Sequence, residues 1–220
     1  MNNSPGTNLD RLARRVRSLS DEAGRRVIVG IAGSPGAGKT TLATDLVENL
    51  GSRAAYLPMD GFHLANRTLD RLGARDRKGA IDTFDGWGFV TLLSRIRSET
   101  TNPVYAPGFD RSVDEPIAGE IEIGPNVDIV IAEGNYLLVA QEPWSDIRSL
   151  VDETWFCETD HAERLRRLVE RHTNFGRPTE DAISWARDVD GANALLIEST
   201  KEYADLVVSG ATGEILALPG

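Results

Sequence analysis

Gly33-Ser34-Pro35-Gly36-Ala37-Gly38-Lys39-Thr40 satisfies the pattern G-x-x-x-x-G-K-[ST] and is followed by Thr41. Glycines at these spacings let backbone N–H groups turn inward around a phosphate, at the start of a helix that already favours an anion. Lys39 supplies a cation to the β- and γ-phosphates, and the Thr40 hydroxyl is a Mg²⁺ ligand. The competing reading is a flexible glycine turn. From average residue usage, a chance match in a chain of this length is on the order of one in a hundred. Residues 33–41 therefore read as a site for a nucleoside triphosphate with Mg²⁺.

A phosphate loop does not by itself name a reaction. The guanine-reading N-K-x-D is missing, as is the Ser-Gly-Gly signature of transporter-type ATPases. Transfer of a phosphoryl group to a small molecule is then favoured over a switch or motor. A regulatory module that binds the nucleotide without an acceptor is the alternative of another class. Asp60, in Pro58-Met59-Asp60-Gly61-Phe62-His63, follows an apolar strand pattern. A carboxylate at a strand C-terminus can orient an attacking hydroxyl and take its proton; a turn Asp before Gly is the bland reading. Glu133 ends the run Ile129-Val130-Ile131-Ala132 and is a candidate Mg²⁺ ligand rather than a solvated surface acid. Arg164, Arg167 and Arg171 share one helix face, with Arg166, His172 and Arg177 nearby. Guanidinium forks suit phosphate oxygens, so 160–180 reads as a lid with Arg167 and Arg171 its catalytic arginines; the bland reading is a solvated face. His63 is either a substrate contact or a capping residue. The three histidines are scattered and, with one cysteine, make no zinc site. The four tryptophans are read as core.

GSPGAGKTT, Asp60-Gly61-Phe62, Asp82-Thr83-Phe84-Asp85, Pro103-Val104-Tyr105, IVIAEG and the arginine helix occur in that order. The series resembles the uridine kinase, phosphoribulokinase and pantothenate kinase group of P-loop kinases, over roughly residues 27–208. MDGFHL and YAPGFDR resemble a bacterial nucleoside- or nucleotide-kinase-like subgroup associated with fructose transport. The resemblance implies ATP as donor, Asp60 as base, Glu133 at Mg²⁺ and the 164–177 segment as lid. It also implies that Asp60, Asp82 and Tyr105 belong to segments lining the acceptor site. Uridine kinases carry a histidine shortly after that tyrosine, but residues 106–111 contain none. Pantothenate kinases have one two residues after it, where this chain has Pro107. The stretch from Trp185 through Asn193 to Leu206 is closer to pantothenate kinases. A nucleoside is the leading acceptor, with a sugar or pantothenate as alternatives. Arg71, Arg75, Arg77 and Lys78 form a cationic cluster before Asp82, and Asp110 and Arg111 follow Tyr105. Carboxylates accept hydrogen bonds from paired hydroxyls. The expected acceptor set is therefore Asp60, His63, Asp82, Tyr105, Asp110 and Arg111, with Asp82→Ala and Asp110→Ala weakening acceptor binding.

The elements that must hold these residues alternate. Strands are expected at 26–32, 54–59, 126–132, 153–158 and 204–209, with an edge strand at 214–218. Helices are expected over 9–19, after the phosphate loop, and at 86–97, 162–172 and 180–203. The pattern is α/β, a P-loop NTPase fold with a mainly parallel sheet and helices on both faces. Residues 1–220 are read as one domain, with 1–7 disordered and 59–122 a substrate-side excursion. The N-terminal helix, with Arg11, Arg14, Arg15 and Arg17, is read as packed on the domain with a solvated basic face. Of 220 residues, 40% are hydrophobic and 26% charged, which excludes disordered and fibrous classes. The net charge of −10 disfavours nucleic acid and anionic membranes. Apolar runs fall far short of the roughly 20 residues that span a bilayer. Residues 1–10 carry no signal pattern, and the lone Cys157 suits a reducing compartment. A cytoplasmic protein acting on a small molecule is expected, with homo-oligomerisation left open.

Overall fold

The structure is a computed structural model that describes residues 7–217. In chain order its elements are α1 (Asn8–Ala23), β1 (Val27–Ala32), α2 (Lys39–Leu50), β2 (Ala54–Pro58), α3 (Asn66–Leu72), α4 (Gly86–Ser98), β3 (Val104–Asp110) and β4 (Glu115–Ile123). They continue with β5 (Ile129–Glu133), α5 (Ile147–Leu150), β6 (Glu153–Glu158), α6 (His161–Asn174), α7 (Thr179–Glu198), β7 (Leu206–Ser209) and β8 (Ile215–Ala217). The main sheet has the order β2-β5-β1-β6-β7-β8. All its neighbours are parallel except β7 and β8. The expected mainly parallel α/β fold is what forms.

β1 is buried along its whole length, and its pleat explains why. Val27, Val29 and Ile31 join Leu12 and Val16 of α1 and Leu42 and Leu46 of α2 in one apolar cluster. Ile28 and Ala32, on the other face, join Phe89, Leu93 and Ile96 of α4 in a second. A strand with both faces covered reads as a continuous apolar run, and this one does. α1 packs as expected, but its basic face is partly tied down. Arg15 pairs with Glu153 at 2.7 Å and Arg17 donates to the Asn49 carbonyl at 2.7 Å. Thr7, placed among the disordered residues from sequence, caps α1 in a capping box with Asp10. Residues 1–6 and Leu218 lie outside the described residues.

The strand expected over 26–32 begins one residue later, at Val27, and leaves Arg26 outside it. The residue is only 4% exposed, and its guanidinium donates to the carbonyls of Val127, Ile96, Glu99 and Gly124 at 2.7–2.9 Å. It ties the end of α4 to the entry of β5. Arg26→Met removes the donor for these largely buried carbonyls, each costing roughly 1–3 kcal/mol when unsatisfied. Urea unfolding is expected to show a loss of about 3 kcal/mol at unchanged m-value; a loss under about 1 kcal/mol contradicts this bracing role.

The excursion at 59–122 has more structure than its composition suggests. It contains α3, α4 and a separate two-stranded antiparallel sheet, β3–β4. Pro107, Pro116, Gly108 and Gly119 hide these strands from a periodicity reading. The ladder accommodates Pro107 in a register shift between Ala106 and Gly108. The long helix expected at 180–203 ends at Glu198, with a short 3₁₀ turn over Lys201–Tyr203. Among the described residues, no helix is long and apolar enough to cross a membrane.

Candidate active site

The parallel strands end in a cleft of about 1100 Å³ lined by the phosphate loop, the loop after β2, the tip of the β3–β4 hairpin, and α6 and α7. Gly36 and Gly38 hold φ of +78° and +98°, in the left-handed region. A Cβ on Gly38 would also collide with the Gly210 carbonyl. α2 begins at Lys39 itself, so its free N–H groups open on the loop. The Ser34 hydroxyl donates to Glu198 at 2.5 Å, and Glu198 also accepts from Arg164 at 2.7 Å. The loop is thus braced against α6 and α7.

Lys39 is buried, and its Nζ donates to the Ser34 carbonyl at 3.0 Å. Glu133 Oε1 lies 3.9 Å from it. Burial lowers the Lys39 pKa, and the charge of Glu133 opposes that. Glu133 closes β5 in register with Ile31 of β1 and Pro58 of β2, so it sits between two strand ends. Its Oε2 accepts from Thr40 Oγ1 at 3.1 Å and from Tyr56 Oη at 2.8 Å. Burial raises its carboxyl pKa, partly offset by Lys39. Tyr56 was not singled out from sequence. It lies mid-strand in β2, and only the parallel register brings it beside Glu133.

Asp60 sits in the 3₁₀ turn Met59–Phe62 that follows β2. Burial raises its pKa, but His63, Arg111, Arg171 and Lys39 outweigh that and hold it below the usual carboxylate range. Its Oδ2 is 2.9 Å from Arg111 Nη2. His63 Nδ1 lies 2.8 Å from the Asp60 carbonyl, which makes that nitrogen the donor. The ring packs 3.9 Å from Phe84, centroid to centroid, and burial lowers its pKa.

The arginine face of α6 divides three ways. Arg164 turns inward to Glu198, with Nε the one buried side-chain polar atom without a partner among the described residues. Arg166 is 62% exposed and pairs with Glu163 and Glu170. Arg167 and Arg171 line the cleft. Arg167 Nη1 lies 3.5 Å from the Gly36 carbonyl. Among the described residues the Arg171 side chain makes no hydrogen bond or ion pair, and burial lowers its pKa. The structure therefore brings Gly36, Gly38, Lys39, Thr40, Thr41, Asp60, His63, Arg111, Glu133, Arg167 and Arg171 to one cleft.

Three acceptor residues expected from sequence do not reach that cleft wall. Tyr105 pairs with Glu122 across the hairpin and is 52% exposed, because the pleat points it away from its buried neighbours Val104 and Ala106. The Asp82 side chain is 55% exposed and pairs with Arg77 at 2.7 Å. Asp110 turns back to accept from Ser112 N and Oγ at 2.8 and 2.6 Å. Asp82 and Asp110 stand outside the cleft lining, so this geometry gives no support to the acceptor effects expected of Asp82→Ala and Asp110→Ala. Tryptophan burial is also split. Trp144 and Trp155 are core, Trp87 is 59% exposed, and Trp185 lines the cleft with Arg177 4.0 Å above its ring. Cleft residues not foreseen include Asn135, Asp190 and Asn193. The Asp190 carboxylate accepts from His172 Nε2 at 2.8 Å, and Asn193 donates to the Gly79 carbonyl.

A phosphate loop beneath paired arginines, opening on a pocket large enough for a second substrate, defines an ATP-dependent small-molecule kinase of the P-loop class. The chain belongs to the phosphoribulokinase/uridine kinase family, whose description matches residues 28–214. It is similar to a Schizosaccharomyces pombe protein named "Putative uridine kinase C227.14", at 35% identity over 195 residues, covering 84% of this chain and 83% of that one. Among solved structures it is similar to one titled a "putative fructose transport system kinase" from Silicibacter sp. TM1040. The identity there is 38% and the TM-score 0.83, covering 92% of this chain and 99% of that one. YFH7 from Saccharomyces cerevisiae shares the fold, with a TM-score of 0.78 at 20% identity over 87% of this chain and 95% of that one.

Proposed function

We propose that the enzyme moves the γ-phosphate of ATP to a hydroxyl of a small polyhydroxyl metabolite, with Asp60 taking the proton. The observation that carries this is the position of Asp60. It lies in one cleft with Lys39 and Arg171, and its carboxylate is kept ionised by the cations around it. In this reading the loop amides and Lys39 hold the donor phosphates. Arg167 and Arg171 meet the charge that spreads over the transferring group, with 160–180 as the lid. Thr40 and Glu133, both hard oxygen donors 3.1 Å apart, suit Mg²⁺. Bound there, Mg²⁺ would neutralise phosphate charge, and Tyr56 would keep Glu133 oriented. A nucleoside acceptor is supported by the name of the S. pombe relative, and a sugar by that of the Silicibacter neighbour. The buried lone Cys157 suits a reducing, cytoplasmic setting.

An ADP-coupled screen over nucleosides, pentoses, hexoses and pantothenate, including their phosphates, tests the transferase reading. Acceptor-stimulated ADP release is expected; release indifferent to every acceptor would favour a regulatory nucleotide-binding module. Glu133→Gln keeps the size of the side chain but removes its charge. It is expected to raise the Mg²⁺ concentration for half-maximal turnover by roughly 10–100-fold. A Mg²⁺ titration unchanged by the substitution would remove Glu133 from the metal site.

A further inference from the structure

The ion pair between Arg111 and the candidate base bears on which acceptor the cleft selects. Arg111 stands in the turn between β3 and β4, and that turn is held firmly. Asp114 has φ +55°, the one positive value outside glycine among the described residues. Its carbonyl accepts from Lys78 Nζ at 2.5 Å and Asn66 Nδ2 at 2.8 Å. Lys78 also donates to Asn66 Oδ1 at 2.7 Å and pairs with the Asp114 carboxylate at 3.0 Å. The two Glu115 carboxylate oxygens share the Asn66 backbone N–H, at 3.0 and 3.1 Å. Lys78 has spent its three donors on Asp114 and Asn66. Among the described residues, the Arg111 guanidinium bonds only to Asp60 Oδ2, at 2.9 Å.

This has a chemical consequence. An acceptor hydroxyl must reach Asp60 while a guanidinium already occupies one of its oxygens. A neutral acceptor offers Arg111 only uncharged hydroxyl or carbonyl oxygens in exchange for a carboxylate. A carboxylate or phosphate on the acceptor offers a bidentate partner, so its arrival can draw Arg111 away. The pair is partly open to solvent, with side chains 40% and 31% exposed, which leaves it weak enough for a competing anion to part. The surroundings agree in sign. The chain carries −10 overall, yet seven Lys and Arg line the cleft against four Asp and Glu.

We propose that Arg111 is a specificity-determining latch: it holds Asp60 in the acceptor-free enzyme and releases it to an acceptor carrying a carboxylate or phosphate near its reacting hydroxyl. The inference rests on Asp60 as the base. Once released, Asp60 takes the hydroxyl proton as the acceptor oxygen bonds to the γ-phosphorus and the bond from that phosphorus to the ADP oxygen breaks. Without an anion, Arg111 stays on Asp60 and limits transfer to water.

The test measures ADP formation by the wild type, Arg111→Met and Arg111→Lys with three acceptor sets. These are hydroxycarboxylates, sugar or nucleoside monophosphates, and the uncharged parents of the latter. The wild type is expected to be stimulated about tenfold or more by one anionic set and not by the uncharged parents. Which anionic set works separates carboxylate from phosphate. Arg111→Met is expected to raise the KM for that acceptor about tenfold, with Arg111→Lys recovering part of it. Basal ADP release without acceptor is expected to rise at least about twofold in Arg111→Met, because Asp60 is freed. Equal stimulation by uncharged parents, no stimulation by either anionic set, or an anionic-acceptor KM within about twofold of wild type in Arg111→Met would overturn the proposal. So would an Arg111→Met loss confined to kcat and equal for every acceptor, which is what a merely structural clamp predicts. Failure of the base assignment reads out separately, as full acceptor phosphorylation by Asp60→Asn.

Discussion

Lys39→Ala is expected to lower acceptor phosphorylation by at least about 10²–10³-fold, the scale set by removing one preorganised group from a developing charge. The physical reason is local. Lys39 Nζ is the buried cation at the phosphate loop, and Glu133 is no closer to it than 3.9 Å, so the charge remains available to phosphate. The fold is expected to survive. The Ser34 carbonyl that Lys39 bonds also accepts from the Ala37 amide at 3.1 Å, so its loss orphans no acceptor. Thermal unfolding near the wild-type temperature, together with ATP turnover close to background, is the expected pair of results. A folded variant with wild-type turnover would contradict the phosphate-loop reading outright.

Asp60→Asn is expected to lower kcat by roughly 10²–10⁴-fold while ATP affinity stays near wild type, as for loss of a general base. The substitution keeps the shape and removes the charge. The lowered pKa of Asp60 sets the accompanying pH profile. The ionised form, and with it the activity, is present at neutral pH and is lost only as pH falls through a value below the roughly 3.9 of free aspartate. An acid limb owing to Asp60 is therefore absent from profiles taken between about pH 5 and 8. ATP binding and turnover falling in parallel would make Asp60 a structural or metal residue instead.

The legible part of the site was the part made by contiguous residues or by strand ends. The loop at 33–41 is a single stretch of chain, and its geometry follows from where glycine and lysine stand in it. Asp60 and Glu133 were readable because strand C-termini in a parallel sheet face one side, so an acid after an apolar run is already placed. Arg167 and Arg171 were readable as members of a face, but spacing could not tell them from Arg164. All three lie on one side of α6, and only the packing of α7 decided that Arg164 meets Glu198 while the others reach the cleft.

By itself, the order of residues determined the alternation of strands and helices, the parallel sheet, the nucleotide loop and the carboxylates at its rim. Each of these is set by interactions within a few residues or by a repeating pattern. Tertiary structure alone decided which residues of the β3–β4 hairpin line the cleft. Whether Tyr105 faces cleft or solvent depends on the pleat of a hairpin whose prolines and register shift erase the period-two signal. Whether Asp110 or Arg111 enters the cleft depends on a turn fixed from Asn66 and Lys78, about forty residues earlier in the chain. Tyr56 meets Glu133 only because β2 and β5 pair side by side, 77 positions apart in sequence. Contacts between segments so distant leave no periodic trace in either one, because each residue's neighbours are supplied by another part of the chain.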